Sequence, residues 1–358
     1  MIDLRQYGFT NDVPVTNDSM PGRVTEQQRE KYTVITSNGE VIASLKGSFH
    51  HSAHAREDYP AVGDFVLLQY NPTGESRIIK ILPRKTKFSR ADMSGHAAGY
   101  VKTIREQVVA ANFDYVFILS SLNADFKVNR ILRYITQTRQ SGGQPVVILT
   151  KSDLIEDYIA HETEVTRAAY DVPVHSISSH TGQGLRELGV YLQPGKTIVF
   201  LGMSGVGKSS LLNALMSTEV MAVKSIREDD SRGRHTTTHR QLFMLSCGAM
   251  IIDTPGMREL GIFDAEEGIS EGFADVEDLF AKCRFSDCKH KTEPGCAVRA
   301  AIASGVLPQE RWERYQAQVR ENRFVDDRAA FMRDRRDLAK SLTRLTRTKK
   351  IKPARKGR

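Results

Sequence analysis

Between Gly202 and Ser209 the chain reads Gly-Met-Ser-Gly-Val-Gly-Lys-Ser, a glycine-rich loop that ends in a lysine and a hydroxyl. Glycines let the backbone curl until the N–H groups of Gly202, Met203, Ser204, Gly205, Val206 and Gly207 point inward as an anion nest. Lys208 adds a full positive charge at the same place. The Ser209 hydroxyl is a hard oxygen ligand suited to Mg²⁺, and Ser210 follows it in the first helical turn. The chemistry is phosphate binding with a divalent ion, and it needs a strand before the loop and a helix after it. Both are present. Ile198–Leu201 is a β-branched and apolar run, and Leu211, Leu212, Ala214 and Leu215 have helical spacing. A glycine-rich turn before an ordinary core helix is the competing explanation, and the flanking pattern weighs against it.

A base-reading signature comes earlier in the chain. Thr150-Lys151-Ser152-Asp153 closes the apolar run Val146–Leu149. A carboxylate at Asp153 accepts from the N1–H and the exocyclic amine of guanine together, a pair that adenine does not offer. Leaving that carboxylate unpaired against adenine costs on the order of a few kcal/mol. Lys151 would lay its stem along the base plane, and Thr150 would brace the loop. Taken alone these four residues serve equally well as surface residues. A second signal, His175 to Leu185, would turn backbone N–H groups near Ser178 and Ser179 toward the base oxygen. Ser179 and His180 stand there where GTPases commonly have Ala and Lys.

The hydrolytic elements follow the phosphate loop. Asp253-Thr254-Pro255-Gly256 after the run Met250–Ile252 places Asp253 near Mg²⁺ through water, and the Gly256 N–H where it senses a γ-phosphate. Ser225–Arg240 is polar and poor in core residues, as a switch would be, with Thr236 or Thr237 closing on Mg²⁺. Met257 occupies the place where many GTPases position the attacking water with glutamine. His235 is therefore the candidate catalytic residue, with a purely structural histidine as the alternative.

These signatures must be carried by alternating strands and helices, which predicts a doubly wound α/β domain over 108–265 with its site at the carboxyl ends of the strands. The order of parts is that of a circularly permuted P-loop GTPase: base loops, phosphate loop, first switch, second switch. Ahead of it, short β-rich runs separated by Asn-Gly and Pro/Gly turns predict a small β-barrel, an OB-fold, over 31–84. Residues 1–30 read as a disordered polar tail and 85–107 as a linker. His50, His51, His54 and Arg56 could bind phosphate or RNA, or be merely solvated. Beyond the GTPase, Cys283-x₄-Cys288-x-His290-x₅-Cys296 offers four soft ligands, the pattern of one structural Zn²⁺ in an α-helical domain over 266–325. Cys247, in a hairpin turn, has no partner pattern.

The 358 residues carry a formal net charge of +8, and the excess sits at one end. From Arg344 onward there are eight basic residues and no acidic one, within a helical and basic tail over 326–358. That tail suits a polyanion such as RNA better than a membrane surface, since it lacks aromatics and an amphipathic pattern. The polar beginning of the chain is no secretory signal, and no apolar run is long enough to span a bilayer. A cytoplasmic protein is expected.

Together, GxSGVGKSS, GRHTTT, DTPG, the permuted order and the C-x₄-C-x-H-x₅-C spacing resemble the RsgA-type small-subunit-dependent GTPases, over roughly 32–325. The resemblance implies a cytoplasmic, monomeric GTPase that binds GTP and GDP with Mg²⁺ and acts late in maturation of the small ribosomal subunit. It implies hydrolysis stimulated by the subunit, release on GTP loss, and rRNA contacts from the barrel and the zinc domain. Thr150 departs from the commoner Asn of GTPases in general. Two other readings remain: a signalling or transport GTPase with a protein partner, and an RNA-binding assembly protein that uses GTP structurally.

Overall fold

A computed structural model of the chain describes residues 1–10, 19–28, 30–47, 49, 58–92, 105–123, 126–220, 240–253, 266–320 and 322. They fall into two compact units, Met1–Asp92 with Arg105–Gly261, and a second built from Ile262 onward.

The first unit begins with a five-stranded barrel: β1 (Met20–Gln28), β2 (Lys31–Thr36), β3 (Gly39–Leu45), β4 (Phe65–Gln69) and β5 (Ser76–Ile81). The strands run β1-β2-β3-β5-β4, and pairing of β1 with β4 closes the ring in the OB-fold arrangement. Alternate residues turn inward, and Val24, Tyr32, Val34, Ala43, Val66, Leu68 and Ile78 fill the interior.

Two expectations are corrected here. Residues 20–28 were expected in a disordered tail, yet they form the strand that closes the barrel. Gly22 is there for close packing: a Cβ would lie 2.6 Å from Val34 Cγ1 and 2.9 Å from the Ile35 carbonyl oxygen. The expected linker over 85–107 contains two paired strands, β6 (Lys87–Asp92) and β7 (Arg105–Ala111). Burial of Phe88, Val108, Val109 and Ala110 holds them, with Phe88 stacked on Phe113 at 5.0 Å.

The α/β part supplies β8 (Tyr115–Ser121), α1 (Val128–Gln140), β9 (Gln144–Thr150), α2 (Tyr158–Ala169), β10 (Val174–Ile177), β11 (Thr197–Leu201), α3 (Lys208–Val220), β12 (Arg240–Met244) and β13 (Met250–Asp253). Its strands run β10-β9-β8-β11-β13-β12, all parallel except β12. Consecutive residues of each strand feed opposite faces. Val116, Ile118, Val147, Leu149 and Val199 pack with Ile131, Ile135 and Val165 of α1 and α2. Phe117, Leu119, Val146, Ile148 and Phe200 pack with Leu211, Leu212 and Leu215 of α3. A sheet covered on both faces reads as near-continuous apolar runs, as these strands do. Successive strands are added on one side of β8 up to β10 and on its other side from β11, which makes the gap between β8 and β11 the topological switch point.

Barrel and sheet are joined along β1, which also pairs with β12 through Glu26↔Gln241 and Gln27↔Arg240. At the seam Arg23 is fully buried. It donates to the carbonyl oxygens of Gly63 (3.2 Å), Tyr7 (2.7 Å) and Asn112 (2.9 Å), and lies 5.0 Å from the centre of the Phe65 ring. Burial lowers its pKa to about 10, against the pull of Asp114 and Asp64.

The second unit contains α4 (Glu266–Gly272), α5 (Ala274–Glu277), α6 (Ala297–Ala303) and a helix, α7, over 309–320. Its core gathers Ile269, Phe273, Val276, Val298, Leu307 and Trp312. Arg311 grips the Asp275 carboxylate with two hydrogen bonds of 2.8 and 2.6 Å and lies over the Phe273 ring. Among the described residues no helix is long and apolar enough to cross a membrane.

Candidate functional site

Base loops and phosphate loop lie at the carboxyl ends of adjacent parallel strands. Ile177 of β10 is in register with Thr150 of β9, Thr150 with Ser121 of β8, and Ile118 of β8 with Leu201 of β11. β11 pairs in turn with β13, whose last residue is Asp253. Residues 100 positions apart in the chain thus share one rim.

The phosphate loop depends on its glycines. At Gly202 a Cβ would lie 2.5 Å from the Leu119 carbonyl oxygen, so only glycine lets β11 turn out of the sheet beside β8. Gly205 and Gly207 take φ of +79° and +101°, left-handed backbone of the kind from which anion nests are built. Val206 is buried and anchors the loop, while Ser204 and Gly205 are exposed. Lys208 opens α3 and folds back, its Nζ donating to the carbonyl oxygens of Gly202 (2.6 Å) and Met203 (2.7 Å). Ser209 and Ser210 are exposed in the first turn of that helix.

The base loop is tied directly to the phosphate loop, a connection that spacing alone does not reveal. Buried Thr150 donates from Oγ1 to the Val206 carbonyl oxygen at 2.6 Å. Lys151, held at φ +63°, donates from Nζ to the Gly205 carbonyl oxygen at 2.9 Å. Ser152 is buried, its hydroxyl 3.5 Å from Gln183 Oε1, and Asp153 stands exposed on the turn that follows.

The second base loop is braced by Ser178. Its N–H donates to the Gln183 carbonyl oxygen, and its Oγ accepts from the N–H groups of His180 and Thr181. Ser179, half-buried, sits within that turn. Gln183 was not foreseen from the sequence, yet its amide reaches Ser152 on one side and the Tyr158 hydroxyl, at 2.9 Å, on the other.

Asp253 is buried at the end of β13. His235, Thr236, Thr237 and Gly256 lie outside the described residues, as do Met257, His50, His51, His54, Arg56 and the basic tail.

The four soft ligands converge. The Sγ atoms of Cys283 and Cys296 lie 3.6 and 3.5 Å from His290 Nδ1, and the ligand atoms of all four residues fall within 4.8 Å of one another. Tetrahedral zinc, with bonds of about 2.3 Å to sulfur and about 2.0 Å to nitrogen, sets such S···N separations at about 3.5 Å. The donor set therefore fits that ion, and four protein ligands leave no open position for catalysis. The His290 ring is stacked on Phe280 at 4.4 Å and meets the edge of Trp312. Glu293 closes the ligand turn. Its own N–H and those of Lys289, Lys291 and Thr292 hold the carboxyl down at about 2.

The chain is similar to known proteins throughout. Residues 81–263 match the family model described as RsgA GTPase. A Listeria monocytogenes protein named small ribosomal subunit biogenesis GTPase RsgA 2 is 43% identical, covering 96% of this chain and 97% of its own length. A Methanosarcina acetivorans protein of the same name without the numeral is 39% identical over 87% of this chain and 81% of its own. Among solved structures, YjeQ from Thermotoga maritima matches with a TM-score of 0.64 and 28% identity, over 85% of this chain and 98% of that one. YloQ, described as a circularly permuted GTPase, matches with a TM-score of 0.61 and 26% identity, over 86% of this chain and 96% of its own.

Proposed function

The chain belongs to the RsgA GTPase family, and on that premise we propose that it is a GTP hydrolase acting in late maturation of the small ribosomal subunit. The subunit stimulates hydrolysis, and loss of the γ-phosphate releases the factor. The observation that carries the nucleotide part is the pair of bonds from Thr150 to Val206 and from Lys151 to Gly205. They tie the Thr150–Asp153 turn to the glycine-rich loop, which supports reading the first as the guanine loop and the second as the phosphate nest. The ribosomal part is supported by the names of the relatives that match nearly the whole chain.

In this reading the phosphates displace the loop carbonyls from Lys208 and take its charge. Asp153 selects guanine, with backbone amides near Ser178 and Ser179 on the base oxygen. Ser209, Asp253 and Thr236 or Thr237 would hold Mg²⁺, which supplies charge neutralisation at the β- and γ-phosphates when bound. His235 orients the attacking water, because Met257 has no group that can. Zn²⁺ in the Cys283, Cys288, His290 and Cys296 set would hold the knuckle in shape. The factor acts in the cytoplasm as a monomer, and its barrel, knuckle and basic tail contact rRNA.

The test is GTP hydrolysis by the purified protein alone, with small subunits, and with large subunits. Acceleration by the small subunit only is the expected result. Equal, slow turnover in all three mixtures would reject the ribosomal part and leave a guanine-nucleotide-binding protein with another activator.

A further inference from the structure

The metal knuckle exposes an aromatic side chain that its own fold does not use. Among the described residues of the second unit, Phe273, Phe280, Trp312 and Tyr315 pack into the core. Phe285, two positions after Cys283, is 41% exposed. The guanidinium carbon of Arg284 lies 5.4 Å from the centre of its ring. Arg284 is fixed from behind: its N–H donates to the Gly295 carbonyl oxygen at 3.0 Å, and a Cβ on Gly295 would sit 2.9 Å from Arg284 Cβ. The ring and its cation therefore stand on backbone that the metal ligands Cys283 and Cys296 flank.

The surroundings say what such a ring faces. Lys282, Lys289, Lys291 and Arg299 are exposed on the knuckle and the start of α6. The two acids of the knuckle segment, Asp287 and Glu293, are outnumbered by these cations, and the Glu293 carboxylate is turned onto the backbone N–H groups of its own turn. Between Cys283 and Cys296 no second large apolar side chain is exposed, so within this segment the ring has charged rather than apolar neighbours. A cation-backed ring among lysines fits a nucleic acid. Bases stack on aromatic and guanidinium planes, while lysines draw the phosphates. Paired bases in an A-form helix have no free face to offer, so the base must be unpaired.

We propose that Phe285 and Arg284 form a stacking platform for an unpaired RNA base. The proposal rests on the reading above that the chain works on the ribosomal subunit, and it narrows that reading from RNA in general to a single-stranded nucleotide at this position.

The probe is a short single-stranded RNA carrying 2-aminopurine, titrated into the full-length, metal-loaded protein. A fully paired duplex of the same sequence serves as control. Phe285→Ala is expected to weaken single-strand binding about tenfold, to abolish the fluorescence quench, and to leave the salt slope unchanged. Phe285→Tyr should behave as the parent and Phe285→Leu as the alanine variant. Duplex binding, GTP affinity and basal hydrolysis should not move. Lys289→Ala should instead lower the salt slope by about one charge. Parent-like binding by Phe285→Ala, rescue by leucine, or equal loss on duplex would overturn the platform. If subunit-stimulated hydrolysis persists in any of those cases, the assembly-factor reading stands without it.

Discussion

At the amino ends of β8, β11 and β13 the polar groups are answered by the protein itself. Arg23 is wrapped by three carbonyl oxygens and the Met250 sulfur. The Asp114 carboxylate takes Lys196 at 2.7 Å and the Thr197 N–H at 2.9 Å. At the carboxyl ends of the same sheet Asp153 lies exposed, and Lys208 and Lys151 donate to the carbonyls of the very loop that a phosphate would enter. The residue types are alike at the two ends. What differs is that the amino-end groups, led by fully buried Arg23, pair with partners no ligand would replace, whereas the contacts at the carboxyl end are open to exchange for a ligand. A change at the carboxyl end should therefore cost function and spare stability, and a change at the amino end should do the reverse.

The largest effect is expected at His235, which the proposed mechanism assigns to the attacking water. On that mechanism His235→Ala should keep GTP affinity and thermal stability while turnover with the small subunit falls by roughly a thousandfold, within the usual range for losing a residue that handles the reacting water. Single-turnover kinetics with a fluorescent GTP analogue for affinity would check both halves. Full turnover in the variant would take the histidine out of the mechanism.

Next comes Asp153→Asn. The amide can no longer accept two N–H groups from guanine, so GTP affinity should drop on the order of a hundredfold. Xanthosine triphosphate, whose carbonyl can accept from the new amide, should gain. Competition binding with the two nucleotides measures the crossover, and an unfolding midpoint equal to the parent's would place the effect at the open end of the sheet.

How much of this was legible in the sequence depends on how local each feature is. The strand–loop–helix around Lys208, the Thr150–Asp153 turn and the Cys283–Cys296 spacing are all short-range patterns: Lys208 follows β11 and opens α3, Thr150 ends β9, and the four ligand atoms lie within 4.8 Å of one another. β1 was hidden because its strand character comes from partners elsewhere in the chain: it pairs with β2, β4 and β12, and Gly22 packs against Val34 and Ile35. β6 and β7 were hidden by the glycines and basic residues in and around them, although Phe88 of β6 is buried against Phe113, 25 positions on. Arg23 was beyond reach for a stronger reason. A buried arginine is stable only when acceptors from separate segments converge, and here Tyr7, Gly63 and Asn112 supply them.

That dependence gives the third test. Arg23→Met should lower the free energy of unfolding by about 2 kcal/mol, because the buried carbonyls lose their donor while the cost of burying the charge is relieved in part. Urea unfolding measures it, and GTP affinity should stay within twofold. A variant that folds as stably as the parent, or that loses nucleotide binding without losing stability, would erase the distinction between the two ends.

The smallest effect sharpens the comparison through pH. Hydrogen bonding and attraction from Asp114 raise the Lys196 pKa above its ordinary 10.5. A cation whose folded value exceeds its unfolded one contributes stability that is complete below the unfolded value and disappears as pH climbs through the folded one. With 44% of the Lys196 side chain exposed, solvent screens the pair and keeps that contribution small. Lys196→Met should thus be slightly less stable than the parent at pH 8. The two curves should converge at alkaline pH beyond the raised value, with GTP affinity unaffected throughout. A gap that stayed constant across the alkaline range would mean that the methylene stem, and not the charge on Asp114, secures the amino end of β11.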